Sequence, residues 1–112
     1  MSIVIDGKTI EMTATGFLAN QEDWSEDLAQ ALAKTEDIEL TNEHWDVINY
    51  LREEYFNNGG NQPNNRTMLK DLSSKWGRKV SSKDMYDLFP RNPSKQAGLI
   101  AGLPESMRKG GY

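Results

Sequence analysis

Residues 41–55, TNEHWDVINYLREEY, carry the clearest helical signal in the chain. Thr41 suits the N-cap position, because its hydroxyl can accept a hydrogen bond from a backbone N–H of the first turn. Apolar side chains then recur at the spacing of one helix face, at Trp45, Ile48, Leu51 and Tyr55, with Val47 beside them. The pattern predicts a helix that buries this face in the core.

Four further helices are predicted around this one. Residues 25–34, 65–76 and 82–88 have helical apolar spacing, and a fifth helix follows Pro93, which suits a first helical position. Leu69, on the third helix, is a further predicted core residue, and Gly77 ends that helix. The third and fourth helices resemble a helix-turn-helix pair.

A short β-hairpin is predicted at residues 3–11, where β-branched residues flank Asp6-Gly7, a pair that tolerates a two-residue turn. The fold class is therefore mainly α, a small orthogonal bundle of about five helices with an N-terminal β-hairpin. We predict a single domain over residues 1–104, with the helical bundle at about 24–104. Residues 105–112 are predicted to form a flexible C-terminal arm.

Composition limits the chemistry that the chain can perform. The 112 residues include no cysteine and one histidine, which excludes disulfides, thiol nucleophiles and cysteine-bound metals. His44 lies beside a predicted core tryptophan and is interpreted as a packing or hydrogen-bonding residue. No apolar run is long enough to span a membrane. We expect a cytoplasmic, non-catalytic protein with no cofactor and no metal.

Charge is distributed unevenly along the chain. Residues 1–56 hold thirteen acidic and three basic side chains, a formal charge of -10, whereas residues 57–112 hold four acidic and ten basic ones, a formal charge of +6. The basic half could bind an anionic partner, or the two halves could attract each other across the fold. The candidate partner-binding residues are the cations Arg78, Lys79, Lys83, Arg91, Lys95, Arg108 and Lys109.

Several stretches resemble one family, the small sulfur-relay proteins typified by DsrC, the gamma subunit of dissimilatory sulfite reductase, and by TusE of tRNA 2-thiouridine synthesis. The stretches run in order along the chain: IDGK at residues 5–8, GFL at 16–18, LTNEHWDVI at 40–48, LFP at 88–90, KQA at 95–97 and AGLP at 101–104. The resemblance implies a helical bundle with an N-terminal hairpin and a C-terminal arm that reaches into a partner.

The family's sulfur-carrying cysteines are missing from this sequence. The resemblance places one at the penultimate position of the arm, which is Gly111 here, and DsrC has another directly after the KQA motif, which is Gly98 here. A persulfide requires a thiol sulfur. The chain is therefore predicted to act by binding a partner and not by carrying sulfur.

Three functions remain open from the sequence. The first is a cysteine-free member of this family that binds a sulfite-reductase-type complex or a relay protein, or that acts in regulation. The second is a nucleic-acid-binding regulator with weak, electrostatic DNA binding through the helix-turn-helix-like pair. The third is a sulfur relay in tRNA 2-thiouridine synthesis whose natural sequence had cysteines.

Overall fold

The structure is a computed structural model that describes residues 2–5 and 7–104. It begins with two antiparallel strands, β1 (Ser2–Ile5) and β2 (Lys8–Glu11), paired from Ser2 with Glu11 to Ile5 with Lys8. A short 3-10 helix follows at Gln21–Asp23. The α-helices are α1 (Glu26–Thr35), α2 (Asn42–Asn57), α3 (Asn65–Trp76), α4 (Ser82–Leu88) and α5 (Pro93–Ile100). The predicted mainly α fold with an N-terminal hairpin is confirmed.

Side chains at the helix starts explain why the helices begin where they do. Ser25 accepts a hydrogen bond from the backbone N–H of Leu28 at the start of α1, and Asn64 accepts one from that of Thr67 at the start of α3. Ser81 and Asp84 exchange side-chain and backbone hydrogen bonds at the start of α4. These contacts satisfy backbone donors that have no partner within the helix.

The last helix, α5, lies in the middle of the bundle. Every residue of α5 except Lys95 is buried. The helix packs against α1 and α2 and also contacts α3 and α4. Because it contacts all four other α-helices, α5 supplies the centre of the core rather than a cover for it.

The buried face of α2 differs from the predicted one. The buried residues are His44, Val47, Ile48, Tyr50 and Leu51, whereas Trp45 and Tyr55 are half-buried. The predicted core positions of Ile48 and Leu51 are confirmed. Trp45 packs only against the edge of the core, so its predicted position within the core is wrong, and the buried His44 ring takes the inner position at the start of α2. Leu69 on α3 is also half-buried, so its predicted core position is wrong as well.

The His44 ring is held inside the bundle by hydrogen bonds at both nitrogens. Nε2 lies 2.7 Å from the carbonyl oxygen of Leu88, which can only accept, so Nε2 carries the hydrogen. Nδ1 then accepts from the backbone N–H of Thr41 at 3.0 Å and from its hydroxyl at 2.8 Å. The ring edge also meets Phe89, with 5.1 Å between centroids. His44 thus joins the start of α2 to the end of α4.

Candidate functional site

The predicted cations of the α3–α4 turn are paired with acidic side chains. Arg78 donates from Nη2 to Glu43 Oε2 at 2.8 Å, and its Nη1 lies 3.5 Å from Asp84 Oδ2. Its guanidinium carbon also lies 5.2 Å from the centroid of the Trp76 ring. Hydrogen bonding to Ser81, followed by the charge of Arg78, lowers the pKa of Asp84 below its usual value. Arg78 is therefore largely neutralised by its neighbours.

Two lysines next to this turn differ in their surroundings. Lys83 Nζ lies 3.3 Å from Oδ2 of Asp87, which is one helical turn further along α4. Because both side chains are exposed, this ion pair contributes little to stability. Lys79 is exposed and has no ion pair within the described part of the chain. Of the two lysines, Lys79 is the one whose charge is open to a partner.

Arg91 and Lys95 line one surface depression of about 410 Å³ between the end of α1 and the start of α5. Arg91 Nη1 lies 3.8 Å from Glu36 Oε2. Lys95 is exposed and has no ion pair among residues 2–5 and 7–104. The depression is shaped by Gln96, which is only 3% exposed. Gln96 accepts from the backbone N–H of Arg91 at 2.8 Å and donates to Glu36 at 3.2 Å. The role of Gln96 was not predicted, although its place in the KQA motif singles it out.

Two of these ion pairs join the acidic half of the chain to the basic half. Glu43 and Glu36 come from residues 1–56, whereas Arg78 and Arg91 come from residues 57–112. The attraction between halves, one of the two sequence interpretations, thus accounts for part of the charge asymmetry. Among the candidate cations of the described residues, Lys79 and Lys95 are the two that have no ion pair.

Of the two glycines at the family's cysteine positions, the structure describes Gly98 but not Gly111. Gly98 is buried on α5, and no atom from elsewhere in the described residues lies within 4 Å of the place where a Cβ would sit. Gly111 lies outside the described residues, as do Arg108 and Lys109 and the whole predicted arm. The described part of the chain therefore has room for a Cβ at Gly98, although the sequence supplies none.

A second group of side chains, which the sequence analysis missed, holds the end of α5. The Trp24 indole N–H donates to the carbonyl oxygen of Ile100 at 3.0 Å, and Arg52 Nη1 donates to that of Ala101 at 2.7 Å. The guanidinium carbon of Arg52 lies 3.8 Å from the centroid of the Trp24 ring. Gly102 follows with a φ of 75°. We call Trp24, Arg52 and Gly102 the α5 clamp, because they fix the backbone that leads to Pro104.

Within the described residues, no three histidine, cysteine or acidic side chains are grouped closely enough to hold a metal ion. None of the helices in that part of the chain is both long and apolar enough to cross a bilayer.

Known proteins resemble this chain over almost its full length. The family model described as DsrC like protein matches residues 4–108. Sulfurtransferase TusE of Photorhabdus laumondii is 42% identical over 107 residues, covering 95% of this chain and 96% of the relative. Sulfurtransferase TusE of Escherichia coli K12 is 39% identical over 109 residues, covering 95% of this chain and 97% of the relative.

Solved structures agree with this assignment. The solution structure of DsrC from Allochromatium vinosum superposes with a TM-score of 0.88 at 40% identity, covering 96% of this chain and 98% of that one. The oxidized gamma subunit of dissimilatory sulfite reductase from Archaeoglobus fulgidus gives a TM-score of 0.87 at 35% identity, with the same coverage. The family resemblance seen in the sequence is confirmed, and the chain belongs to the DsrC family.

Proposed function

We propose that this chain works in sulfur relay by binding a protein partner, without catalysis and without carrying sulfur itself. Two relatives are named sulfurtransferase TusE, and a similar structure is the gamma subunit of dissimilatory sulfite reductase. The observation that carries the proposal is a family fold with a TM-score of 0.88 on a sequence that contains no cysteine. A persulfide must be attached to a thiol sulfur, so the retained fold supports docking rather than transfer.

The proposed partner is a sulfite-reductase-type complex or a relay protein in the cytoplasm, and the basic half provides the docking surface. Among the candidate cations identified from the sequence, Lys79 and Lys95 are the strongest, since both are exposed and neither has an ion pair within the described region. Arg91 adds to them, because its side chain is 72% exposed and its contact with Glu36 is long. Arg78 and Lys83 contribute less because nearby carboxylates already offset their charge. Arg108 and Lys109 stay in the proposal as further cations.

The nucleic-acid-binding alternative has no support from the relatives named above. The first turn of α4 carries Asp84, and Asp87 lies one turn further on. Carboxylates at these positions would repel a phosphate-lined groove. We therefore retain protein binding as the proposed function.

The absence of a thiol gives a direct test. After incubation with a persulfide donor, we expect intact-mass spectrometry to show no added mass of about 32 Da, the mass of one sulfur atom. A Lys79→Cys variant is the matched control, because residue 79 is exposed and the new thiol should accept sulfur under the same conditions. A stoichiometric adduct on the unaltered chain would contradict the proposal.

The basic docking surface gives a second test. Reversing both Lys79 and Lys95 to Glu should slow association with an immobilised dissimilatory sulfite reductase complex by roughly tenfold at low salt. The effect should shrink as salt screens the charges. Surface plasmon resonance at several salt concentrations measures both effects.

The double variant with Lys8→Glu and Lys34→Glu is the control for this test, because both lysines are exposed, lie in the acidic half and give the same change in net charge. An unchanged association rate in the double variant of Lys79 and Lys95 would remove the basic surface from the proposal. An equal loss in the control would show that net charge alone, rather than this surface, sets the rate.

A further inference from the structure

Arg52 is a half-buried cation that has no carboxylate partner within the described residues. Its one hydrogen bond there runs from Nη1 to the carbonyl oxygen of Ala101. Burial lowers the pKa of Arg52 from its usual value. By contrast, Arg78 and Arg91 each contact an acidic side chain. A partly desolvated charge without a counter-ion is unfavourable unless other contacts offset the loss of water.

Two aromatic rings compensate part of the lost hydration of the Arg52 guanidinium. The guanidinium carbon of Arg52 lies 3.8 Å from the centroid of Trp24 and 4.9 Å from that of Phe56. Cation–π contacts of this kind stabilise an arginine while its remaining N–H groups point outward in the guanidinium plane. Those N–H groups have no partner in the described part of the chain.

Phe56 supplies an open apolar surface beside this guanidinium. Its side chain is 51% exposed, one of three large hydrophobic side chains exposed in the described residues. The ring contacts that of Tyr55, with 5.1 Å between centroids and an interplanar angle of 85°. Exposed aromatic and arginine side chains are enriched at protein interfaces.

We propose that Arg52 and Phe56 form a docking point for a peptide segment of a protein partner that presents one carboxylate beside an apolar side chain. The carboxylate would bind the N–H groups of Arg52 that have no partner among residues 2–5 and 7–104, and these groups match its two oxygens. The apolar side chain would cover Phe56. This inference rests on the proposed function and adds a contact point on α2, apart from Lys79 and Lys95.

The surrounding charge selects this occupant over a nucleic acid. Glu53 and Glu54 adjoin Arg52 in the sequence, and residues 1–56 carry a formal charge of -10. A chain of phosphates would be repelled by this acidic half, whereas a single carboxylate can reach the one arginine. The apolar face of Phe56 also favours a peptide, because it gains from contact with an aliphatic side chain.

Nuclear magnetic resonance tests the site without requiring the partner. We would titrate the full ¹⁵N-labelled chain with the acetylated, amidated tripeptide Leu-Glu-Leu and, separately, with Leu-Gln-Leu. We expect saturable shifts at the Arg52 Nε–H and Trp24 indole N–H signals with the first peptide, and at least tenfold weaker binding of the second. Equal binding of the two peptides would overturn the proposal.

Variants of Arg52 and Phe56 test whether these two side chains bind the peptide. Phe56→Ala changes an exposed residue, so the fold should persist while binding of Leu-Glu-Leu weakens about fivefold or more. Lys34→Gln, at an exposed residue outside both proposed contacts, should leave binding of this peptide unchanged. Arg52→Lys keeps the charge but loses the planar fork, and we expect a loss of tenfold or more. Unchanged peptide binding in Phe56→Ala would overturn the apolar half of the site, whether or not Arg52→Lys folds.

Binding measurements with the proposed partner test this inference separately from the proposed function. We expect a dissimilatory sulfite reductase complex to bind the unaltered chain and to bind Phe56→Ala at least fivefold more weakly. Equal binding of both would overturn the docking point while the proposed function stands. Failure of the complex to bind either chain, together with carboxylate-selective peptide binding, would exclude the sulfite-reductase-type complex as the partner and support the site.

Discussion

Replacing Gly102 with alanine is expected to lower the free energy of unfolding by roughly 2–4 kcal/mol. A Cβ at this position would lie 2.3 Å from Cδ1 and 2.8 Å from Cγ of Trp24. Trp24 cannot move aside freely, because its indole N–H is bound to Ile100 and its ring stacks on Arg52. The φ of 75° adds a conformational cost for any residue that has a Cβ. Steric and backbone strain therefore act together.

Gly77→Ala separates these two causes. Gly77 has a similar φ of 66° at the end of α3, but nothing lies within 4 Å of the place where its Cβ would sit. Only the conformational cost applies, so we expect a loss of about 1 kcal/mol. Urea unfolding of both variants measures the difference. Equal losses would show that the contact with Trp24 contributes nothing.

Truncating Leu51 to alanine is expected to lower the free energy of unfolding by about 2–5 kcal/mol. Leu51 is 3% exposed and lies on the buried face of α2, so the truncation leaves a cavity in the core. Domains of this size are commonly stable by about 5–15 kcal/mol, so the loss is a large fraction of the total.

Leu69→Ala is the matched control for this truncation. Leu69 is half-buried at the edge of the core, where solvent can fill the vacated space. We expect a loss of about 1 kcal/mol, mainly from reduced apolar burial. Thermal and urea unfolding of both variants provide the comparison. A loss below about 0.5 kcal/mol for Leu51→Ala would contradict its place in the core.

The sequence predicted the helices well because their ends are determined locally. The predicted ranges 65–76 and 82–88 are those of α3 and α4, since Asn64 and Ser81 cap the starts and Gly77 ends α3 in a left-handed conformation. On the inner face of α2, Ile48 and Leu51 were predicted correctly, but His44 was not predicted to be buried. Apolar spacing cannot show that a polar ring such as His44 is buried, because the carbonyl that accepts its hydrogen bond belongs to Leu88, 44 residues away.

The candidate site was only partly predictable for the same reason. The sequence identified the cations, but it could not show that Glu43 neutralises Arg78 while Lys95 has no acidic partner in the described region. It also gave no sign that Arg52, within an acidic stretch, would lack a carboxylate and stack on Trp24, 28 residues earlier in the sequence. Such pairings depend on how the helices meet.

The central position of α5 also bears on when the chain can fold during translation. A ribosome that adds roughly 5–20 residues per second needs roughly 4–16 s to extend the nascent chain from the start of α1 to Leu103. Each of α1 to α4 is completed during this interval before the helix that their apolar faces surround. We therefore expect the nascent chain to stay open to chaperones until α5 has emerged, and to fold only near the end of synthesis.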